Sequence, residues 1–261
     1  MNIPKSSPSE ILSSVHNATL KTWIPFYAKS SDITIDIDSQ FDGIAAVPDV
    51  IDGKPTIIIN PQRCMEQFDL TPSEFLVVLF HEIEHLFENA ELRSSPEGKV
   101  FLKKKQQRRE EQGVRASSYH QLENILRDMY VNTQVVNIKK VPALRKDLHD
   151  LYQDKFFAPK DYRQAPLHQQ FMDAMLREYF VPEEKCEVAD EVRKALNKMQ
   201  KKFLGMPSIV EKTTGGTLAE RLQAMWDLVE PTFKRFLEQD IKNHYQPKPP
   251  SGGGKGGGDN S

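Results

Sequence analysis

Cysteine is scarce. The 261 residues hold two, Cys64 and Cys186, too few and too far apart for a disulfide framework or a metal knuckle, so a reducing, cytoplasmic setting is expected. An excess of charge of either sign is also missing. Lys and Arg number 35 against 37 Asp and Glu, a formal net charge of −2, and without a basic surplus no nucleic-acid partner is expected. No apolar run approaches the roughly 18–20 residues of a membrane span. The opening residues Met1-Asn2-Ile3-Pro4-Lys5-Ser6 lack the apolar stretch of a signal peptide, so no membrane association is expected. Glycine is sparse everywhere except near the last residues, where six of the 13 fall between 252 and 258.

What is present reads as a soluble α+β body. Residues 1–245 form the expected domain, with its core over about 30–150 and a helical part over about 160–245. The Pro/Gly-rich stretch 246–261 has the composition of a disordered tail. Apolar spacing from Pro8 to about Lys29 reads as a helix. Three strand-like stretches follow: Ile33-Thr34-Ile35-Asp36-Ile37, Gly43-Ile44-Ala45-Ala46-Val47 and Pro55-Thr56-Ile57-Ile58-Ile59-Asn60. An Asp52-Gly53 turn signal before the third suggests a small antiparallel sheet near the N-terminus. From Thr71 onward the pattern is helical, including 117–136, 165–179, 186–203 and 217–242. The charge-dense segment 103–112 reads as a solvated helix or a mobile loop.

The chemistry is concentrated in one helix. Thr71-Pro72-Ser73-Glu74 combines an N-cap, a proline in the first turn and the glutamate of a capping box. Phe75-Leu76-Val77-Val78-Leu79-Phe80 is apolar all round, as in a buried helix, and it leads into His81-Glu82-Ile83-Glu84-His85. Histidines at i and i+4 project from one face, one turn apart, and can reach a single metal ion. Glu82, about 100° away, is placed to meet a metal-bound water instead. This is the HExxH signature of zinc hydrolases. The composition predicts only about 0.03 chance occurrences in the chain, so the motif implies a site binding Zn2+. Paired core histidines are the plain alternative.

Zinc in a catalytic site needs a third protein ligand and an open position. Residues 86–92 contain no further histidine, so the ligand is expected from a later helix. On a helical wheel of residues 119–134, Leu122, Ile125, Leu126 and Met129 form the core side, and Asp128 borders it with Asn124 and Asn132 about 40° to either side. Glu123 and Arg127 fall on the far side as an i,i+4 pair suited to water. Asp128 is therefore the expected third ligand, with Glu123 or a distant histidine as the alternative. Asn124, Asn132 and Glu88 are the expected supporting residues around the metal, a solvent-facing Glu88 being the plainer reading. Tyr119, His120 and Tyr130 are nominees for an oxyanion donor. His149 and His168 are expected at the surface, and Cys64 in the core rather than as a thiolate inhibitor.

His81-Glu82-x-x-His85 followed by Asn124-Ile125-x-x-Asp128-x-x-Val131-Asn132 resembles the metallopeptidase-like domain found N-terminal to von Willebrand A-like domains in bacterial and phage proteins. The resemblance covers roughly residues 40–150 and implies a zincin-like fold, in which an edge strand beside the active-site helix holds an extended polypeptide substrate. Ile57, Ile58 and Ile59 fit that strand. Two features depart from the family pattern: Leu126 and Arg127 replace small residues, and no von Willebrand A-like domain is present, so any such partner would be separately encoded. The activity implied is a zinc-dependent peptidase, with Glu82 as general base. The alternative is a catalytically idle, metal-binding interaction module tethered by its Gly-rich tail.

Overall fold

The computed structural model describes residues 28, 32–47, 54–60, 62–138, 144–156, 161–203 and 216–244. Nearly all of the helix expected over 8–29, the Asp52-Gly53 turn and the tail 246–261 lie outside them. The described chain is α+β, with a small sheet followed by helices, and among the described residues no helix is long and apolar enough to cross a membrane.

The sheet has three strands, β1 (Thr34–Ile37), β2 (Ala45–Ala46) and β3 (Thr56–Ile59), in the order β1-β3-β2. β3 pairs parallel with β1, Thr34 opposite Thr56, and antiparallel with β2, Ala45 opposite Ile59. The expected all-antiparallel arrangement is therefore corrected to a mixed sheet. Its cause is the unbroken run Ile57-Ile58-Ile59, which offers apolar side chains to both faces and so belongs in the middle of a sheet. β1, with Asp36 among its isoleucines, suits an edge. The buried Asn60 fixes the loop before β2: its Nδ2 donates to the carbonyls of Phe41 (2.7 Å) and Ser39 (3.2 Å).

Helix α1 (Pro72–Ser94) begins as its sequence demands. The Glu74 N–H donates to Thr71 Oγ1 (3.3 Å) and the Thr71 N–H to Glu74 Oε2 (2.6 Å), a closed capping box of a kind that contributes about 1 kcal/mol. Ser95 ends α1 and starts α2 (Pro96–Gln112), accepting from the Gly98 N–H at 3.0 Å. A Cβ on Gly98 would sit 2.2 Å from the Leu92 carbonyl oxygen, so only glycine allows this corner. The charge-dense segment lies on α2 and is mostly solvated, but Lys105 and Arg108 turn inward: the Arg108 guanidinium lies 4.7 Å over the Trp226 ring.

Helix α3 (Ala116–Thr133), extended by a π-helical turn over Gln134–Ile138, packs against both α1 and α2. α4 (Leu144–Asp150) continues as a second π-helical turn over Leu151–Lys155 and lies alongside the first turns of α1. Ser73 Oγ donates to Asp147 Oδ1 (2.8 Å), and Lys155 Nζ donates to Glu74 Oε2 (2.5 Å), so the start of α1 and the end of α4 are pinned together. α5 (Leu167–Phe180), α6 (Asp190–Phe203) and α7 (Leu218–His244) complete the helical half. α5 and α7 close over α3, burying Leu122, Met129, Phe171, Met175, Phe233 and Phe236.

His168 is not the surface residue expected. Asp240 of α7 accepts hydrogen bonds from the backbone N–H groups of Leu167 (3.0 Å) and His168 (2.9 Å), capping α5 from across the bundle, and its Oδ2 lies 2.7 Å from His168 Nδ1. His149 stays partly exposed beside Glu183. Cys64 is buried, and burial pushes its thiol up to about 12, which removes it as a thiolate at neutral pH.

Burial on α5 raises the Asp173 carboxyl to about 6, against the weaker opposing pull of His168 and Gln169. A carboxyl raised from 3.8 in this way favours the fold below pH 3.8, and that contribution is lost as pH rises through 6. Asp173→Asn is therefore expected to stabilise the protein at pH 7 by about 1–3 kcal/mol and to change little at pH 4. Thermal melts of both proteins at the two pH values check this, and an equal difference at both would refute it.

Candidate metal centre

α1 and α3 bring three acceptor atoms together. His85 Nε2 lies 3.1 Å from His81 Nε2 and 3.2 Å from Asp128 Oδ1, and His81 Nε2 lies 3.7 Å from the same oxygen. Ligand atoms bound tetrahedrally at about 2.0–2.1 Å stand about 3.3–3.4 Å apart, and the three distances bracket that value. His81, His85 and Asp128 are also a group whose donor atoms converge closely enough to hold one ion.

The residues behind them decide what these atoms are. His81 Nδ1 faces Asn132 Oδ1 at 2.9 Å, while Asn132 Nδ2 donates to the Tyr152 hydroxyl at 2.9 Å. His85 Nδ1 faces Glu88 Oε2 at 2.9 Å. Each Nδ1 therefore carries the proton it donates, and in the neutral ring each Nε2 presents a lone pair. Two lone pairs and a carboxylate oxygen pointed at one spot repel one another unless a cation or a shared proton lies between them. The donor set of two imidazoles and one carboxylate suits zinc. In the metal-free protein burial works to lower the His85 pKa, but its bonds to Asp128 and Glu88 prevail and push it up to about 9.

Glu88 is the buried support, not the solvent-facing residue. It is held below the ordinary glutamate range: burial opposes its charge, but His85 and Arg127 outweigh burial. Arg127 Nε donates to Glu88 Oε1 (2.9 Å), and its Nη2 donates to Glu88 Oε2 (2.7 Å) and Asn89 Oδ1 (2.9 Å). The expected Glu123–Arg127 surface pair is thus replaced. Glu123 is buried and paired with Lys105 Nζ of α2 at 2.7 Å, on the side of α3 away from the triad, which leaves Asp128 as the α3 carboxylate at the site.

The triad opens into a cleft of about 510 Å³. Glu82 lines it and is only 7% exposed; burial raises its carboxyl pKa, and the Asp128 charge adds to this, against the neighbouring histidines. Asn124 sits exposed at the rim. The three oxyanion nominees lie elsewhere. Tyr119 donates to Glu230 Oε1 (3.2 Å) and packs on Phe233, His120 is exposed, and Tyr130 is buried beneath Arg221. The phenol that lines the cleft is Tyr152, kept neutral by burial and by the Asp128 charge. The strand beside the cleft also differs from expectation. Ile57, Ile58 and Ile59 belong to the central strand, whereas Ile44, Ala45, Ala46 and Val47, on and around edge strand β2, form the wall.

Glu88 is legible in the sequence as the residue one turn beyond His85. Arg127 is not, because its partner lies on another helix, and nothing in the spacing links Tyr152 to a motif twenty residues earlier. No family model matches the chain, and no match is found among curated proteins or solved structures.

Zinc content per chain separates these roles. Asp128→Ala is expected to lose the metal and Glu123→Ala to retain it, although the latter removes the Lys105–Glu123 ion pair and lowers the melting temperature. Glu88→Gln is expected to weaken zinc affinity about 10–100-fold by loosening His85. Elemental analysis with a competition titration checks all three, and metal loss in Glu123→Ala would reverse the ligand assignment.

Proposed function

We propose that the protein is a zinc-dependent peptidase with a zincin-like active site. The observation that carries this reading is the convergence of His81 Nε2, His85 Nε2 and Asp128 Oδ1 in a cleft that also holds a buried glutamate. The resemblance to the metallopeptidase-like domain found beside von Willebrand A-like domains agrees with it in both motifs. A cytoplasmic location and a separately encoded partner remain part of this proposal.

His81, His85 and Asp128 would hold the ion, which when bound supplies Lewis-acid activation of water and of the substrate carbonyl. Glu82 is the proton carrier. Its buried carboxylate accepts a proton from the attacking water and returns it to the leaving amine nitrogen, and the upward shift of its pKa brings it closer to neutrality, where a group can both accept and release a proton. Asn132 and Glu88 keep the two imidazoles in the tautomer that leaves Nε2 available. Among the described residues β2 is an edge strand of the sheet, where an extended polypeptide could pair, and the neutral Tyr152 hydroxyl stands in the same cleft.

Glu82→Gln is expected to keep its zinc and to lose peptide hydrolysis by about 100-fold or more. The check is wild type and variant side by side, assayed for metal content and for cleavage of a mixed peptide library by mass spectrometry. Equal cleavage by the variant would refute the proton-carrier role. A metal-loaded wild type that cleaves nothing would favour the interaction-module reading.

A further inference from the structure

The cleft is asymmetric along α1. On the C-terminal side of the histidines it is polar, with Asn89, Asn124 and Arg127 on its wall. On the N-terminal side the wall is apolar apart from the hydrogen-bonded Asn132–Tyr152 pair: Val77 and Val78 of α1, Leu148 of α4, Leu151 and Phe156 just beyond it, and Leu176 of α5. The Ser73–Asp147 and Glu74–Lys155 contacts hold α4 against the first two turns of α1, so these side chains gather at one end. Phe156 closes that end and is itself backed edge-on by Phe68, ring centroids 5.2 Å apart.

We propose that this apolar end is a side-chain subsite, and that it selects polypeptides carrying a large aliphatic or aromatic residue within two positions of the scissile bond. The inference rests on the peptidase reading and goes beyond it by naming what is cut. Val78 precedes the midpoint of His81 and His85 by five residues, about 7 Å of helix, which is about two residues of extended chain. A charged side chain there would meet no ionic partner among these six side chains, whereas an apolar one exchanges water for hydrocarbon. The cleft as a whole, of which this end is a part, has the volume of a small-ligand site. Charged groups begin only at the metal ligands and continue toward Arg127, so the selection acts on one side of the reacting bond.

Binding of zinc-chelating probes tests this without any turnover. The zinc-loaded full chain is titrated calorimetrically with acetohydroxamate, N-acetyl-leucine hydroxamate and N-acetyl-aspartate hydroxamate. The leucine probe is expected to bind at least tenfold more tightly than acetohydroxamate, and the aspartate probe no more tightly. Val78→Phe, which fills the subsite, is expected to retain zinc and lose the leucine advantage. Leu148→Ala, which enlarges it, is expected to shift preference from leucine to phenylalanine hydroxamate and guards against a poorly folded Val78 variant. A leucine probe no tighter than acetohydroxamate overturns the subsite while leaving the metal centre standing. So does a leucine advantage that survives Val78→Phe with its zinc in place. Failure of acetohydroxamate itself to bind instead overturns the metal-centre reading, and the subsite with it.

Discussion

Two imidazole nitrogens 3.1 Å apart, each ring held from behind through its Nδ1, are the constraint around which the other contacts of this site are arranged. Such an arrangement is unfavourable by itself, and it persists only because each ring is gripped from behind. Asn132 and Tyr152 hold one; Glu88 and Arg127 hold the other. The grips come from three helices, α1, α3 and the extension of α4, so the position of the Nε2 atoms is set by how those helices pack and not by α1 alone. Asp128 then closes the triangle from α3. A site assembled in this way resists movement, because displacing either ring would strip a hydrogen bond from a buried amide or a buried carboxylate.

The sequence carried this site unevenly. The HExxH spacing lies within one helix turn and is legible by counting. Asp128 is legible too, because the apolar side of α3 is regular enough to show which acid borders the core. What failed was the assignment of Glu123 and Arg127 to water. Helical periodicity shows that two residues share a side of a helix, but not what lies opposite it. Here α2 supplies Lys105 to Glu123, and α1 supplies Glu88 and Asn89 to Arg127. The strands show the same limit. Their existence followed from β-branched runs, but pairing depends on which strand is apolar on both faces, and the two-residue β2 carries almost no signal of its own. Tyr152 was invisible because its role arises from a contact with Asn132 across a chain reversal.

Arg127 also gives meaning to a departure from the family pattern. Where the resembling domains favour small residues at 126 and 127, this chain has Leu126 and Arg127. Leu126 is buried in the α3 core, so the substitution there is a matter of packing. Arg127 reaches back across the helix interface with a bidentate grip on Glu88, and a small residue could not do this. A buried carboxylate without that partner would tend to take up a proton, and a protonated Glu88 would be a weaker acceptor for His85. The larger side chain therefore supports the very histidine the motif supplies.

The same packing bears on the proposed groove, in which Glu82 lies between an apolar and a polar end. Burying Glu82 raises its pKa, and α1, which carries it, packs against α3 and α4. The apolar side chains of α1 do not stop at the core; Val77 and Val78 continue onto the wall of the cleft. The groups that keep water away from Glu82 are thus continuous with the groups a substrate side chain would touch on the proposed function. Enlarging the apolar end would admit bulkier residues and also wet the carboxylate, lowering its pKa toward the ordinary glutamate range. On the proposed function, side-chain preference and proton transfer would therefore be coupled through one packing layer.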